Sequence, residues 1–259
     1  MKGGVVAVVQ ARMTSSRLPG KVLRPIDGRP MLAYQLERMR RAACLDRIVI
    51  ATTVNATDDP IVAFCETQGC DVTRGSESDV LSRYAEAAQR FGAATIVRLT
   101  SDCPLIDPSL IDEAVQRFQS FLSVDRCDYL SNMLEPSFPY GMAVEVMTAQ
   151  ALLVAAAQAT APQEREHVTP FIYGRPQRFC LQSFTMSPDL SHHRWTVDTP
   201  EDFELISRIL QALYPGRPDF TMHDVLGLLG RQPEWVKINA HVSQKTVPPS
   251  ARTIHDLPN

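Results

Sequence analysis

The chain has 259 residues, 44% of them hydrophobic and 21% charged, with a net charge of −3. That length accommodates one large α/β domain, and the ordinary composition excludes a disordered or fibrous chain. The mild negative charge argues against nucleic acid or an anionic membrane surface as partner, and no apolar run approaches the roughly 20 residues of a bilayer span.

The first element is the apolar run Val5 to Val9, which reads as a strand buried on both faces of a parallel sheet. Gln10-Ala-Arg-Met-Thr-Ser-Ser-Arg-Leu-Pro-Gly-Lys-Val-Leu23 follows it and places Arg12, Arg17 and Lys21 in a loop of small and hydroxyl residues, with a turn at Pro19-Gly20. A loop at the carboxyl end of a strand is where open α/β sheets bind ligands, and three cations there suit a polyphosphate. A merely solvated basic loop has the same composition.

After Pro30, residues Leu32, Leu36 and Met39 share a helical face. Arg47 to Thr52 reads as a second strand. Asp58-Asp59-Pro60 then caps a helix with Ile61, Phe64 and Cys65 inward. Asp71 to Thr73 forms a short strand, and the next helix turns Leu81, Tyr84, Ala88 and Phe91 inward. Ala94 to Leu99 is a strand ending in Thr-Ser-Asp102-Cys-Pro104, and Pro108 opens a helix with Ile111, Val115 and Phe118 on one face. Such alternation specifies parallel strands flanked by helices. No G-x-G-x-x-G is present, which counts against a dinucleotide enzyme.

Beyond Asp125 the rhythm changes. Strands are expected at 129–132 and 142–146, a helix at 149–159, a short helical stretch capped by 164–167, and an edge or antiparallel strand at 179–184. Residues 126–190 read as an excursion that shapes an acceptor site or a subunit contact within a single domain spanning 1–259. His192 to Asp198 is expected to rejoin the sheet. A helix capped by Thr199 and Pro200 then follows, with Phe203, Ile206, Leu210 and Leu213 inward. The tail, helical over 222–229 and with Pro248-Pro249 near its end, is expected to lie outside the core or to be partly disordered. The six scattered cysteines read as buried free thiols of a reducing cytoplasm.

Asp102 and Asp198 each stand between a strand end and a helix, so both carboxylates can meet over one edge of the sheet. Two such groups suffice for Mg²⁺ when phosphates supply the remaining ligands. A lone Asp in such a place is commonly a cap or turn former, and Asp107 before Pro108 fits that role. Glu201 and Asp202 suit the positive end of a helix and need no further function.

These motifs carry a resemblance. Gln10-Ala-Arg with Ser16-Arg-Leu-Pro-Gly-Lys21, Arg98-Leu-Thr-Ser-Asp-Cys-Pro-Leu-Ile-Asp107 and Val197-Asp-Thr-Pro-Glu-Asp202 resemble the ordered motifs of the cytidylyltransferases that include the CMP-Kdo and CMP-sialic acid synthetases. Arg74-Gly-Ser-Glu-Ser-Asp79 with Val80 to Tyr84, Gly141 to Val146 and Glu164 to Pro170 bring the chain closest to the SpsF-type, spore coat polysaccharide branch, from about residue 4 to residue 213. The resemblance implies a Rossmann-like, mostly parallel sheet flanked by helices, of the nucleotide-diphospho-sugar transferase type. It also implies transfer of CMP from CTP to a sugar or sugar acid with loss of pyrophosphate, by a homodimer. By similarity Gln10, Ala11, Arg12, Ser16, Arg17 and Lys21 handle the triphosphate, with Ser76 and Asp79 near the base or ribose. Asp102 and Asp198 hold Mg²⁺, and Arg12 and Lys21 join them in the chemistry. Asn132, Tyr140, Glu145 and His167 are candidates for the acceptor pocket, where His167 and Glu145 either orient a hydroxyl or serve structure. The acceptor could also be a sugar 1-phosphate, a phosphonate or another small compound. A glycosyltransferase using a ready-made nucleotide sugar would place carboxylates similarly.

Overall fold

The computed structural model describes residues 3–124 and 126–243. In chain order, strand β1 (Gly4–Gln10) leads to the hairpin β2 (Pro25–Ile26) and β3 (Arg29–Pro30), then helix α1 (Met31–Met39), β4 (Arg47–Thr53), α2 (Asp59–Gln68), β5 (Asp71–Gly75), α3 (Val80–Arg90), β6 (Ala93–Thr100) and α4 (Pro108–Val124). The second half adds β7 (Tyr129–Ser131), β8 (Glu145–Thr148), α5 (Ala149–Gln158), α6 (Pro162–His167), α7 (Pro170–Tyr173), β9 (Leu181–Ser183), α8 (Pro200–Leu213) and α9 (Met222–Arg231).

Seven strands form one sheet in the order β5-β4-β1-β6-β8-β7-β9. β1 pairs in parallel with β4 and β6, and β4 with β5. β8 runs antiparallel to both β6 and β7, while β9 lies parallel to β7 at the edge. The sheet is therefore mostly parallel, as expected, and residues 126–190 lengthen it by three strands instead of standing apart from it. The strand expected at 142–146 begins only at Glu145. The edge strand of 179–184 is parallel, not antiparallel, because it pairs with β7.

β1 shows why an unbroken apolar run suits this position. Val5, Ala7 and Val9 enter the core on one face of the sheet, with α1, α4 and α8. Val6 and Val8 enter the core on the other face, with α3 and α5. Both faces are covered, so strand alternation brings no polar residue. The Asp27-Gly28 pair turns the β2–β3 hairpin with both residues at positive φ, the geometry a two-residue turn demands.

Three expectations are corrected. Residues 192–198 do not rejoin the sheet. Arg194 makes a single parallel bridge to Tyr140, and the segment is held by Tyr140 N–H to His193 O (2.8 Å) and Trp195 N–H to Tyr140 O (2.6 Å). On α8 the core face is Leu205, Ile206, Ile209 and Leu210, whereas Phe203 and Leu213 are half-buried; the Arg24 guanidinium lies 4.5 Å over the Phe203 ring. α9 packs into the main core through Val225 and Leu229 instead of lying outside it, and Pro248-Pro249 falls outside the described residues. All six cysteines are free; Cys65, Cys103 and Cys127 are buried. No helix among the described residues is long and apolar enough to cross a membrane.

Candidate active site

The site lies at the carboxyl ends of β1 and β6, where the chain order reverses about β1 and such sheets form a crevice. The loop after β1 is tied down at both ends. Ala11 N–H donates to Ala51 O, Met13 N–H to Asp58 Oδ1 at 2.8 Å, and Gly20 N–H to Met13 O at 2.8 Å. Gly20 takes a left-handed φ of 71°, after which Lys21–Leu23 makes a 3₁₀ turn. Leu18 and Val22 sink into the core on either side of it. Lys21 is thus launched from a fixed backbone on a flexible stem.

Its ammonium reaches three acceptors: Val197 O at 2.6 Å, Asp198 Oδ1 at 2.9 Å and Asp102 Oδ2 at 3.4 Å. Arg17 pairs with Asp198 Oδ2 at 2.9 Å, and Arg194 with the same oxygen at 3.2 Å. Asp102 Oδ1 accepts from Thr100 Oγ1 at 2.6 Å. The two acid-bearing loops are stitched together through Val197 N–H to Asp102 O at 2.8 Å. The structure therefore brings Lys21, Arg17, Asp102 and Asp198 into one cluster. Burial opposes ionisation of Asp198, but Lys21, Arg17 and Arg194 hold its carboxyl below the usual range. Burial likewise opposes the Lys21 charge, and Asp102 and Asp198 outweigh it, leaving the ammonium above its ordinary value.

The other expected residues occupy varied places. Arg12 is exposed and pairs with Glu77 at 3.4 Å; Glu77 also accepts from Thr14 Oγ1 (2.6 Å) and Asn55 Nδ2 (2.7 Å), linking three loops of the crevice. Ser16 is exposed. Gln10 meets Tyr84 and Arg98 at 3.3 Å, and Ala11 is buried. Ser76 Oγ accepts from Asp79 N–H, while Asp79 caps α3 through Ser82 N–H and pairs with Arg165.

Tyr140 is half-buried, and its backbone is bonded to the 193–195 segment that leads to Asp198. The Arg194 guanidinium lies 5.6 Å from its ring, and burial pushes its phenol upward. Asn132 is fully buried as a latch, donating to Met142 O and accepting from Val144 N–H. Glu145 is buried against Arg98, Tyr129 OH (2.5 Å) and Thr169 Oγ1 (2.7 Å). His167 ends α6, half-buried. Beside it Val168 adopts φ 72° and ψ −57°, closing a three-residue turn through Thr169 N–H to His167 O at 2.9 Å. That conformation is strained for a branched residue and rare outside ordered sites.

Several residues that hold the site together escaped sequence reasoning. Asp58 does not cap α2 with its side chain; fully buried, it accepts from Thr52 and Thr53 hydroxyls and from Met13 N–H, so it anchors the basic loop. Arg38 is buried and donates to Ile106 O and Leu105 O, fixing the turn after Asp102; burial lowers its pKa to about 10. Asp107 is structural, as expected, and does two jobs: it accepts from Ser109 N–H and from Met222 N–H. Asp202, expected only to favour the helix end, has no exposed surface and accepts from Arg194, Asn239 and the backbone N–H groups of Asp198 and Thr199. Gly141, at φ 115°, lets its backbone approach Trp195, where a Cβ would meet the carbonyl carbon at 2.6 Å. A Gly within a motif and an Asp three residues past a cap were visible signals; their partners were not.

Residues 6–218 match the model of the cytidylyltransferase family. The chain is 36% identical over 238 residues to the spore coat polysaccharide biosynthesis protein SpsF of Bacillus subtilis, covering 89% of this chain and 95% of that protein. A cytidylyltransferase from Leptospira borgpetersenii superposes with a TM-score of 0.84 at 30% identity, covering 95% of this chain and 99% of that one. A 3-deoxy-manno-octulosonate cytidylyltransferase of Pelobacter propionicus is 38% identical over 112 residues, 43% of each protein. With its mostly parallel sheet and its cluster of cations and carboxylates at the crevice, this chain belongs to the cytidylyltransferase family and is a nucleotidyltransferase.

Proposed function

We propose that this protein transfers CMP from CTP to a sugar or sugar acid, with release of pyrophosphate, for assembly of a surface polysaccharide. The observation that carries this reading is the meeting of Lys21 and Arg17 with Asp102 and Asp198 at the mouth of the β1–β6 crevice. The names of SpsF and of the 3-deoxy-manno-octulosonate enzymes supply the sugar class. Homodimerisation through residues 126–190 and a cytoplasmic location belong to the same reading.

The donor set fits Mg²⁺. Asp102 and Asp198 are hard oxygen ligands that already converge on a single cation, the Lys21 ammonium. No cluster of three or more His, Cys, Asp or Glu able to hold a metal assembles among the described residues. Two carboxylates completed by substrate phosphates and water is the arrangement Mg²⁺ favours. Bound there, the ion supplies neutralisation of charge on the phosphate oxygens.

The protein's own groups do the rest. Arg12, exposed at the crevice, and Arg17 bind the β- and γ-phosphates and hold the leaving pyrophosphate. Asp58 keeps the loop in place while they do so. An acceptor hydroxyl attacks the α-phosphorus in line, the bond to pyrophosphate breaks, and the hydroxyl proton leaves to solvent water on the acceptor side. There Tyr140 and His167 orient the incoming group. Positioning and preorganised charge provide most of the acceleration, and no side chain forms a covalent bond.

Pyrophosphate release from CTP with Mg²⁺ and a panel of sugar acids and sugar phosphates, followed by mass spectrometry, tests this. The expected product is a CMP adduct of one acceptor class. Asp102→Ala and Asp198→Ala are each expected to slow release at least about a hundredfold while unfolding cooperatively. Near-normal turnover in either variant, or release from another nucleotide and not from CTP, overturns the reading.

A further inference from the structure

We infer that the Lys21 ammonium, seated on Asp102 and Asp198, excludes a divalent cation from these oxygens until a triphosphate draws it away. The inference rests on the reading of Asp102 and Asp198 as metal ligands and adds an order to it. An ammonium has three donors, and Lys21 spends all three on Asp102 Oδ2, Asp198 Oδ1 and Val197 O. Its side chain is only 10% exposed, so this is a seated ion and not a surface contact. Nζ lies 2.9 and 3.4 Å from the two carboxylate oxygens. A magnesium ion held by the same two oxygens would have to compete with the ammonium for them. The other oxygen of Asp198 already carries Arg17 and Arg194, so Lys21 is the cation that stands on Oδ1.

Charge balance points the same way. Among the described residues of the cluster, Lys21, Arg17 and Arg194 face Asp102, Asp198 and Asp202, three charges of each sign. A divalent ion entering this half-buried set would add two positive charges beside those of Lys21, Arg17 and Arg194. A triphosphate brings its own negative charge and offers Lys21 new acceptors. The move needs only rotation of the side chain, because Leu18 and Val22 pin the backbone around it. Metal and nucleotide affinities are then linked, each raising the other by the same factor.

The test is titration of the full chain with Mn²⁺, following free Mn²⁺ by electron paramagnetic resonance. Without nucleotide the unaltered protein is expected to bind weakly, and Lys21→Met and Lys21→Gln to bind one Mn²⁺ about tenfold more tightly or better. Adding Asp198→Asn to either variant is expected to remove that binding. α,β-Methylene-CTP, corrected for the Mn²⁺ it binds alone, is expected to strengthen Mn²⁺ binding in the unaltered protein and to strengthen it less in Lys21→Met. The unaltered arm needs no variant to fold. Equal, Asp198-dependent Mn²⁺ binding by the unaltered protein and both variants would overturn the exclusion and leave the metal site standing. Indifference to Asp198→Asn in every background, nucleotide present, would remove the metal site itself.

Discussion

Asp202 illustrates how a side chain's type misleads when its surroundings are unknown. As the third residue of α8 it forms a capping box with Thr199, which the sequence pattern implies. Its second role is larger. Burial opposes its charge, but Arg194, Asn239 and the Asp198 N–H hold its carboxyl below the ordinary range, and it fixes the backbone from which Asp198 projects. Asp202→Ala removes one of the carboxylates on the buried Arg194 guanidinium and the acceptor of the Asp198 and Thr199 N–H groups, a change that costs about 3 kcal/mol. For a chain of this size that corresponds to a drop of roughly 10 °C in the thermal midpoint. Calorimetry checks it, and a drop of a degree or two would show that the pair contributes little. Asp58 and Arg38 have the same character: the first serves a loop 45 positions away, the second a carbonyl 68 positions away. Neither separation leaves a trace in local spacing.

At the level of elements, the sequence was most legible where burial is two-sided. β1, β4 and β6 are apolar runs because helices cover both faces, and their ends predict where the loops bearing Lys21 and Asp102 begin. The segment 192–198 was misread because an extended backbone can be held by single contacts without belonging to a sheet. Its holder is the Tyr140–Gly141 backbone. Gly141→Ala would place a Cβ 2.6 Å from the Trp195 carbonyl carbon and at an unfavourable positive φ. Backbone cannot yield as a side-chain tip does, so a loss of about 3 kcal/mol is expected, with turnover falling further as Asp198 is displaced. Chemical denaturation with parallel rate measurement checks this. A stable, fully active variant would show that the two segments pack independently.

At the scale of the whole molecule, the charge cluster sets how stability responds to pH. The carboxyls of Asp198 and Asp202 lie below their ordinary value of 3.8, so they bind a proton less readily than in the unfolded chain. Their stabilisation is complete above 3.8 and is lost as pH falls through the lower folded values. Lys21 lies above its ordinary 10.5, so its contribution is complete below 10.5 and is lost as pH rises through the folded value. Stability is therefore expected to change little through these groups between roughly pH 5 and 9 and to fall in acid. Urea unfolding between pH 2.5 and 7 is expected to show a shallower acid limb for Asp198→Asn than for the unaltered protein; superimposable limbs would remove Asp198 from the account.

The sequence alone determined the layered α/β plan, the position of the basic loop after β1 and the pair Asp102 and Asp198. Periodicity and strand ends encode these locally, and ordered motifs identify the family. Tertiary structure decided what those residues do to one another. It turned Lys21 toward the acid pair, buried Glu145 against Arg98, made Asn132 a latch, and gave Asp58 and Asp202 the task of holding the loops. The reason is physical: a charged side chain's role depends on which opposite charge or unpaired N–H it meets once water is gone. Those partners lie far away along the chain and come together only when the sheet is assembled.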